Sequence, residues 1–381
     1  MKKKIVGFSS LIFIAFMAHG MINTQSIPYL TSLGYDSIQR GYIMSFYAVV
    51  AMVGQFVAGY LCDKYKTIKR FFIFLGIVLT GFIFLTFTLN DKNFLVHFIF
   101  MGNTIGLIRI IDNLLETWII EVDGLYEHFG IVRSLGSFGW ALSSLISGYL
   151  IIYKGYSFMM WVSIILNISV IIISFILEDA NKDEGTSIEV SEIFTLFKNK
   201  QYILLVLVYS LAFIVYNADQ VSVTDYIFFI GGQESDIGLK WFMQALSELP
   251  LLLAATYVLN RLSGKKMMIL GSAVLGLRFV SYAVFPNVNA VIFLSLLQGL
   301  SFPLILVSQK ELILRETPKH LRSTGQMVAI AFSTGLSAIL SPIIAGYLGA
   351  IFSIRIVVLG FGLFMILPVL LMFSYQPSRI T

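Results

Sequence analysis

Charge and cysteine are both scarce in this chain of 381 residues. Only 12% of the residues are charged, whereas soluble domains carry roughly 25%, and no polar stretch is long enough to form a separate soluble domain. The single cysteine, Cys62, excludes a disulfide framework and a cysteine metal cluster. The sequence also lacks a Walker loop, a His-Glu-x-x-His pair and a Gly-x-Gly-x-x-Gly loop after a strand. We therefore expect no cofactor, no metal site and no enzymatic activity.

Apolar residues dominate instead, at 57% of the chain, and the mean hydropathy is +0.86. Each apolar run is long enough to cross roughly 30 Å of hydrocarbon as a helix. The N-terminal MKKK and its apolar continuation resemble a signal peptide, but no small-residue cleavage site follows, so we take this segment as the first span. The sequence predicts an all-α integral membrane protein with twelve spans, at about 5–32, 39–62, 71–90, 94–121, 131–153, 158–178, 202–231, 237–260, 267–285, 290–313, 323–350 and 353–375.

Basic residues occur in short clusters between the apolar runs. The net charge of +5 therefore indicates membrane topology and a lipid bilayer as partner rather than nucleic-acid binding. If both termini lie inside, the inner segments carry nineteen of the 26 basic residues and the outer segments carry five, including Lys240. The positive-inside rule then predicts a multi-pass protein of the cell membrane, inner or plasma, with both termini in the cytoplasm.

Two sequence patterns repeat at nearly the same spacing. GYLCDKYKTIKRFF from Gly59 resembles TYVLNRLSGKKMMI from Thr256, an offset of 197 residues, and SGYL at 147–150 recurs as AGYL at 345–348, an offset of 198. We predict two pseudo-symmetric six-helix bundles, at residues 1–178 and 202–381, joined by a cytoplasmic linker at 179–201. Parallel repeats with a cavity at the bilayer midplane are typical of rocking carriers.

The loop between the second and third predicted spans carries a motif. Gly59 and Asp63 are followed at once by Lys64 and then by Arg70. This pattern resembles the signature loop of the major facilitator superfamily, and with the twelve spans and the central linker the resemblance covers the whole chain. It implies the major facilitator fold and a gating role for these four residues. Asp63 can accept hydrogen bonds from backbone donors at a neighbouring helix end, while the basic residues hold the loop at the inner surface.

Ionisable residues inside spans cost roughly 2.5 to 3.5 kcal/mol each at a helix centre, so each needs a reason. Glu248 and Arg278 lie on adjacent predicted spans and are natural partners, either as a structural ion pair or as a coupling site. The stretch from Glu248 to Pro303 resembles the oligosaccharide:proton symporter branch, the lactose permease type, which uses this glutamate and arginine. Gln298 stands where that branch has a histidine and Ser301 where it has its proton-carrying glutamate, so the usual proton site is missing.

The first half carries a second resemblance to the same branch. LLETWIIEV and FGIVRSLGSFGWAL are similar to its sugar-binding helices, which implies substrate contacts for Glu116, Arg133 and Trp140. Arg109 and Asp112 replace smaller or neutral residues, and this difference favours another substrate shape. Because Arg109, Asp112 and Glu116 follow at i, i+3 and i+7, they share one helix face, where Arg109 is placed to neutralise a carboxylate.

The residue types suit a sugar without reference to any family. Arg133 and Trp140 lie on one helix face, separated by roughly 10.5 Å of rise, with Gly136 and Ser137 between them. An indole stacks on the apolar face of a pyranose, and a guanidinium donates to its hydroxyls. The alternatives are packing or interfacial anchoring for Trp140 and an inner-loop charge for Arg133.

Other polar residues complete the candidate site. His19 and Asn23 lie one turn apart on the first span, and Gln244 shares a face of the eighth span with Trp241 and Glu248. Together with Gln298, these side chains are candidates for solute contacts, although a lone helical histidine is more often a bonded interior residue.

Asp219 on the seventh span resembles a charge-paired aspartate of the same branch, but the lysines expected to pair with it are absent. A carboxylate in a low dielectric holds its proton more tightly. Asp219, Glu248 and Asp112 are therefore alternative proton carriers, with Arg278 as the positive partner in coupling.

These patterns predict a secondary active transporter that imports a small polar solute, a sugar or glycoside, together with protons by alternating access. One charge crossing 100 mV supplies roughly 2.3 kcal/mol, enough for about fiftyfold accumulation. The alternatives are a permease for an aromatic acid or nucleoside, a drug or solute exporter, and a membrane receptor without transport. We expect the monomer to be the functional unit.

Overall fold

The computed structural model of the chain describes residues 2–89, 91–180, 196–253, 261–318 and 321–377, apart from the side chains of residues 252, 253 and 323. Every regular element in these ranges is a helix. Within them, ten helical segments are long and apolar enough to cross a membrane. The prediction of an all-α integral membrane fold is confirmed.

Long helices form the first half of the chain, with bounds that follow the apolar runs. They are α1 (Lys2–Ser32), α2 (Ser37–Tyr65), α3 (Lys69–Thr88), α4 (Phe94–Glu121) and α5 (Phe129–Ile176). Asp36 begins α2 with a capping box, in which its carboxylate accepts from the Gln39 N–H and the Gln39 side chain accepts from the Asp36 N–H. Such a box satisfies backbone donors that the helix itself leaves open.

Helix α5 is 48 residues long, more than twice the roughly 20 residues that one span requires. Gly155 interrupts it with a φ of 78°, a left-handed conformation that glycine adopts without strain. The fifth and sixth predicted spans, at about 131–153 and 158–178, meet at this break.

The second half consists of further helices, two of which contain a π-turn. They are α6 (Lys200–Phe229), α7 (Glu234–Leu253), α8 (Gly264–Val284), α9 (Val288–Glu316), α10 (Thr324–Ile351) and α11 (Ile354–Phe373). The π-turns are Asp219–Val223 in α6 and Ala331–Leu336 in α10. Most of the predicted linker (181–195), the end of the eighth predicted span (254–260) and the start of the second repeat copy at Thr256 lie outside the described residues.

The described residues pack into two compact units. The first contains residues 2–180 and 232–245, and the second contains residues 196–231 and 246–377. In the first unit α1 packs along α5, and α2 packs along α4; in the second, α8 packs against α9 and α11. Helix α7 begins in the first unit and ends in the second.

Two lysines make equivalent contacts in the two units, so the internal repeat of the sequence is also visible in the structure. Lys69 in α3 and Lys265 in α8 each donate from Nζ to two carbonyl oxygens at the end of a later helix in the same unit. The acceptors are Phe175 and Leu177 for Lys69, at 2.9 and 2.5 Å, and Phe373 and Tyr375 for Lys265, at 3.1 and 2.8 Å. Each lysine thus satisfies carbonyl groups that a helix leaves without partners at its C-terminus.

A pair of tyrosines repeats in the same way. The Tyr29 hydroxyl donates to the Thr86 carbonyl at 3.0 Å, and the Tyr226 hydroxyl donates to the Tyr282 carbonyl at 2.9 Å. The two halves are therefore pseudo-symmetric, as the sequence offsets predict.

Candidate functional site

Glu116 on α4 and Arg133 on α5 form an ion pair in the first unit. Arg133 Nε lies 2.5 Å from Glu116 Oε1, and the two side chains are 33% and 30% exposed. Arg133 Nη1 also donates to Ser137 Oγ at 2.9 Å, and the guanidinium lies 4.7 Å from the centre of the Phe16 ring. The structure therefore brings together two residues that the sequence proposes as solute contacts.

His19 on α1 and Asp112 on α4 form a second pair. His19 Nδ1 lies 2.6 Å from Asp112 Oδ1, and the His19 side chain is fully buried. Nε2 of His19 is buried and has no hydrogen-bond partner among the described residues. Asn23 lies one turn further along α1 and is partly buried. Asp112 and Glu116 are one turn apart on α4, so two carboxylates on one helix face each have a partner from a different helix.

Arg109 does not have the role that its spacing predicts. Its side chain hydrogen-bonds the hydroxyl of Tyr47 on α2, while the carboxylates of Asp112 and Glu116 pair with His19 and Arg133. The reason is that α2 packs along α4 and offers Arg109 a partner that helical spacing alone does not reveal.

Trp140 lies on α5 where this helix crosses α1 closely. Gly20 of α1 makes the crossing possible, because a Cβ at this position would lie 3.0 Å from Trp140 Cδ1 and 2.3 Å from Ser143 Oγ. The Trp140 side chain is partly buried. The crossing thus positions the indole beside the helix that carries His19.

The start of α7 adds three residues to the first unit. The Trp241 ring is perpendicular to that of Trp140, with 5.7 Å between the centroids, and Gln244 follows at 2% exposure. Lys240, counted in the sequence as an outer-loop charge, is instead fully buried within the helix. Its Nζ lies 3.6 Å from the Trp241 ring centroid, and this cation–π contact helps to accommodate the charge. The charge count placed Lys240 in an outer segment although the eighth predicted span, at about 237–260, already contains this position.

Gln298 connects the two charged residues that the sequence singles out in the second unit. Its Oε1 accepts from Nη1 of the fully buried Arg278, and its Nε2 donates to Glu248 Oε1 at 3.0 Å. Ser301 is also buried, and its hydroxyl donates to the Gln298 carbonyl at 3.2 Å. Gln298 thus bridges Arg278 and Glu248 in this cluster.

Asp219 has a positive partner, although the lysines expected from the family are absent. Arg278 Nη2 lies 3.7 Å from Asp219 Oδ2, close enough for an ion pair but too long for a hydrogen bond. Asp219 begins the π-turn of α6, and π-turns often occur at functional sites. The sequence gives no signal for this turn, although it names Asp219 and Arg278 together as coupling residues.

The signature-loop residues lie at the end of α2 and the start of α3. Asp63, Lys64 and Arg70 are exposed, and a Cβ at Gly59 would meet no atom within 4 Å. Packing within the first unit therefore does not demand glycine at position 59. The gating role of these four residues stays a prediction.

Asp179 is a loop residue that the sequence reasoning missed. Its carboxylate accepts from the Thr67 hydroxyl at 2.5 Å and from the N–H groups of Ile68 and Lys69 at 3.1 and 3.0 Å, and so caps the start of α3. Burial alone would raise the pKa of Asp179, but these hydrogen bonds hold it below its ordinary value. Its position directly after the sixth predicted span is the sequence feature that could have indicated a structural role for this aspartate.

Residues 5–359 match the model of the MFS_1 like family, the major facilitator type. The maltose permease of Geobacillus stearothermophilus is 28% identical over 143 residues, which are 38% of this chain and 36% of that protein. The uncharacterized transporter YwbF of Bacillus subtilis (strain 168) is 23% identical over 356 residues, which are 92% of this chain and 88% of that protein.

Solved transporter structures share the fold. A crystal structure of a mutant of the nucleoside transporter NupG superposes with a TM-score of 0.87 at 16% identity, covering 97% of this chain and 99% of that one. A D-xylose-proton symporter gives a TM-score of 0.76 at 13% identity, covering 97% of each chain. The relatives and neighbours are transporters, not enzymes. The family match extends over most of the sequence, and this chain belongs to the MFS_1 like family as a multi-pass membrane transporter.

Proposed function

We propose that this transporter imports a sugar or glycoside together with protons by alternating access. The observation that carries the proposal is the 2.5 Å ion pair between Glu116 on α4 and Arg133 on α5, the second of which also carries Trp140. A partly exposed ion pair offers both acceptors and donors to hydroxyl groups, and an indole offers an apolar face to a pyranose ring. His19, Asn23 and the α7 residues extend the solute-binding region of the first unit.

The relatives support a sugar as the solute class. A maltose permease matches part of this chain, and a D-xylose-proton symporter has the same fold. Glu248 and Gln298, both in the second unit, are proposed separately as candidates for solute contacts.

Proton coupling is proposed for the ionisable residues inside the helices. Candidates are Glu248, Asp219 and Asp112, with Arg278 as the cation that senses a change of charge nearby. Because Arg278 is fully buried, a proton arriving on Asp219 would weaken its ion pair and favour a rearrangement of the cluster. If Asp219 is the proton carrier among the three candidates, such a rearrangement couples protonation to the change of access.

We place the protein in the cell membrane with both termini in the cytoplasm, and we take the monomer as the functional unit. The distribution of basic residues, nineteen inner against five outer by the predicted spans, supports this orientation. Accessibility labelling of a cysteine added at either terminus tests it.

Uptake into proteoliposomes tests the function. Radiolabelled maltose, D-xylose, uridine and benzoate are offered with and without an inward proton gradient. We expect gradient-dependent uptake of a sugar, strongly reduced in Arg133→Ala and Glu248→Gln. Arg355→Ala is the matched control, because Arg355 is exposed, donates from its Nε to the Ala283 carbonyl at 2.8 Å and is not among the candidate site residues. Absence of sugar uptake, or full uptake by both site variants, would contradict the proposal.

A nucleoside is the second candidate. The perpendicular Trp140 and Trp241 rings are also suited to hold a planar base, and NupG is a nucleoside transporter of the same fold. Gradient-driven uptake of uridine without uptake of sugars would favour this alternative, and uptake of benzoate alone would favour an aromatic acid.

A further inference from the structure

One ring nitrogen of His19 has a hydrogen-bond partner among the described residues, and the other has none. Nδ1 lies 2.6 Å from the Asp112 carboxylate, and the imidazole is fully buried while Asp112 is 13% exposed. A carboxylate accepts hydrogen bonds, so the neutral imidazole carries its proton on Nδ1, and this N–H donates a hydrogen bond to Asp112. Nε2 then has only a lone pair, and among the described residues it has no hydrogen-bond partner.

We propose that the His19–Asp112 pair is the proton-carrying site of this transporter, and that the carried proton sits on His19 Nε2, whose N–H donates a hydrogen bond to an oxygen atom of the solute. This inference rests on the proposed function. It assigns the proton to another site, because Ser301 stands where a proton-carrying glutamate is expected, and it gives His19 a defined contact with the solute.

The proton balance is simple. Before protonation the pair consists of a neutral imidazole and a carboxylate, with a net charge of −1. One proton from outside adds to the Nε2 lone pair and gives an imidazolium beside a carboxylate, with a net charge of zero. On the inner side the same proton leaves Nε2 for water, and no other covalent bond changes.

Solute binding and protonation help each other in this arrangement. Protonated Nε2 is a buried N–H donor, which is unfavourable without an acceptor. A hydroxyl or ring oxygen of a sugar supplies that acceptor, so the solute binds the protonated pair more tightly. By thermodynamic linkage, the bound solute then strengthens proton binding by the same factor.

Other charged groups near the pair have their own partners. On α4, Glu116 is bound by Arg133 of α5, and Arg109 bonds Tyr47 of α2. On α7, Lys240 lies against Trp241, which in turn contacts the indole packed beside α1. The Asp112 carboxylate is therefore the charge that directly supports an imidazolium at His19.

His97 provides a matched control on the same helix as Asp112. It is also fully buried, but its Nδ1 lies 2.9 Å from the hydroxyl of Tyr35, a neutral group. Nδ1 also lies 3.3 Å from the Asn93 carbonyl oxygen, so His97 has polar neighbours but no carboxylate to offset the burial of a charged imidazole.

Transport measurements test the coupling role. His19→Gln keeps an N–H donor but cannot take up a proton, and Asp112→Asn removes the supporting charge. With maltose and D-xylose as probes in proteoliposomes, we expect His19→Gln to exchange solute, at a reduced rate, but to lose accumulation under a proton gradient. In Asp112→Asn the pH midpoint of uptake should fall by about one unit, a roughly tenfold weaker proton affinity. His97→Gln should accumulate solute like the wild type. Gradient-driven accumulation by His19→Gln would overturn the proposal.

Nitrogen NMR on the purified protein gives a readout that does not need transport. The chain has four histidines, and the resonance missing from His19→Gln identifies His19. We expect Nδ1 to be protonated throughout, Nε2 to gain a proton on acidification, and maltose or D-xylose to strengthen proton binding at Nε2. A His19 whose Nε2 takes up no proton on acidification, or whose Nδ1 lacks a proton, would refute the inference even if uptake is found. If no solute is taken up but His19 titrates as described, the proposed function fails and the assignment of the proton stands.

Discussion

Gln298 is the side chain whose loss should cost the second unit most. It is 2% exposed, accepts from Arg278 Nη1 and donates to Glu248 Oε1. Gln298→Ala removes both bonds. Arg278 Nε and Nη2 already have no hydrogen-bond partner among the described residues, so the guanidinium has little left to compensate the loss.

The magnitude follows from the burial of the two partners. A hydrogen bond to a charged group contributes about 1.5 to 3 kcal/mol, and a neutral one about 0.5 to 1.5 kcal/mol. Because Arg278 is fully buried, the loss of its hydrogen bond should cost the full contribution of a bond to a charged group. The half-buried Glu248 can replace part of its lost bond with a hydrogen bond to water. We expect Gln298→Ala to destabilise the protein by about 2 to 4 kcal/mol from these bonds.

Gln309 offers a control on the same helix. It is also 2% exposed, but its Nε2 donates to a neutral hydroxyl, that of Ser333, at 2.6 Å. Gln309→Ala removes the same number of side-chain atoms, so the difference between the two variants isolates the charged partners. Scanning fluorimetry at one scan rate in detergent should rank the wild type above Gln309→Ala and Gln309→Ala above Gln298→Ala. Equal melting temperatures for the two variants would refute the reasoning.

Three further predictions concern stability. Asp179→Asn should melt at a lower temperature than the wild type at pH 7, and the difference in melting temperature should shrink as the pH falls below 3.8, the ordinary pKa of an aspartate. The reason is that a carboxyl with a lowered pKa stabilises the fold only while charged; a difference that widens on acidification contradicts this. Gly20→Ala should destabilise the first unit, since its Cβ would lie 2.3 Å from a hydroxyl oxygen, whereas Gly81→Ala, with no atom within 4 Å, should be neutral or stabilising by up to about 1 kcal/mol. Lys265→Met and Lys69→Met should each reduce the free energy of unfolding by a similar amount, about 1 to 2 kcal/mol, and so lower the melting temperature, and a loss in one variant alone would count against equivalent roles in the repeat.

The positions of the spans could be predicted because lipid leaves the backbone few choices. A segment that crosses hydrocarbon must satisfy its hydrogen bonds internally, so hydropathy alone locates the helices to within a few residues. Gly155 falls in the gap between two predicted spans and breaks α5 there. The π-turn at Asp219–Val223 could not be predicted in the same way, because it changes the register of α6 without changing its hydropathy.

The site was predictable only within single helices. Spacing correctly places Asp112 and Glu116 on one face of α4, but their partners depend on how α1 and α5 are rotated against that face. This rotation gives Asp112 the imidazole of His19 and gives Glu116 the guanidinium of Arg133. A pattern within one helix contains no information about the neighbouring surface, which is why Arg109 was assigned the wrong kind of partner.

The serine at position 301 does not leave the chain without a group suited to carry a proton. In the second unit, Asp219 contacts the buried guanidinium of Arg278, and Glu248 receives the bond from Gln298. A proton on Asp219 would take away the charge that offsets Arg278, and removing one partner of a buried ion pair costs several kcal/mol, about 3 to 5 in known cases. In the first unit, a proton on His19 creates the ion pair with Asp112 instead of breaking one. The energetic argument therefore favours proton uptake at His19, with Arg278 and Asp219 keeping their charges throughout the cycle.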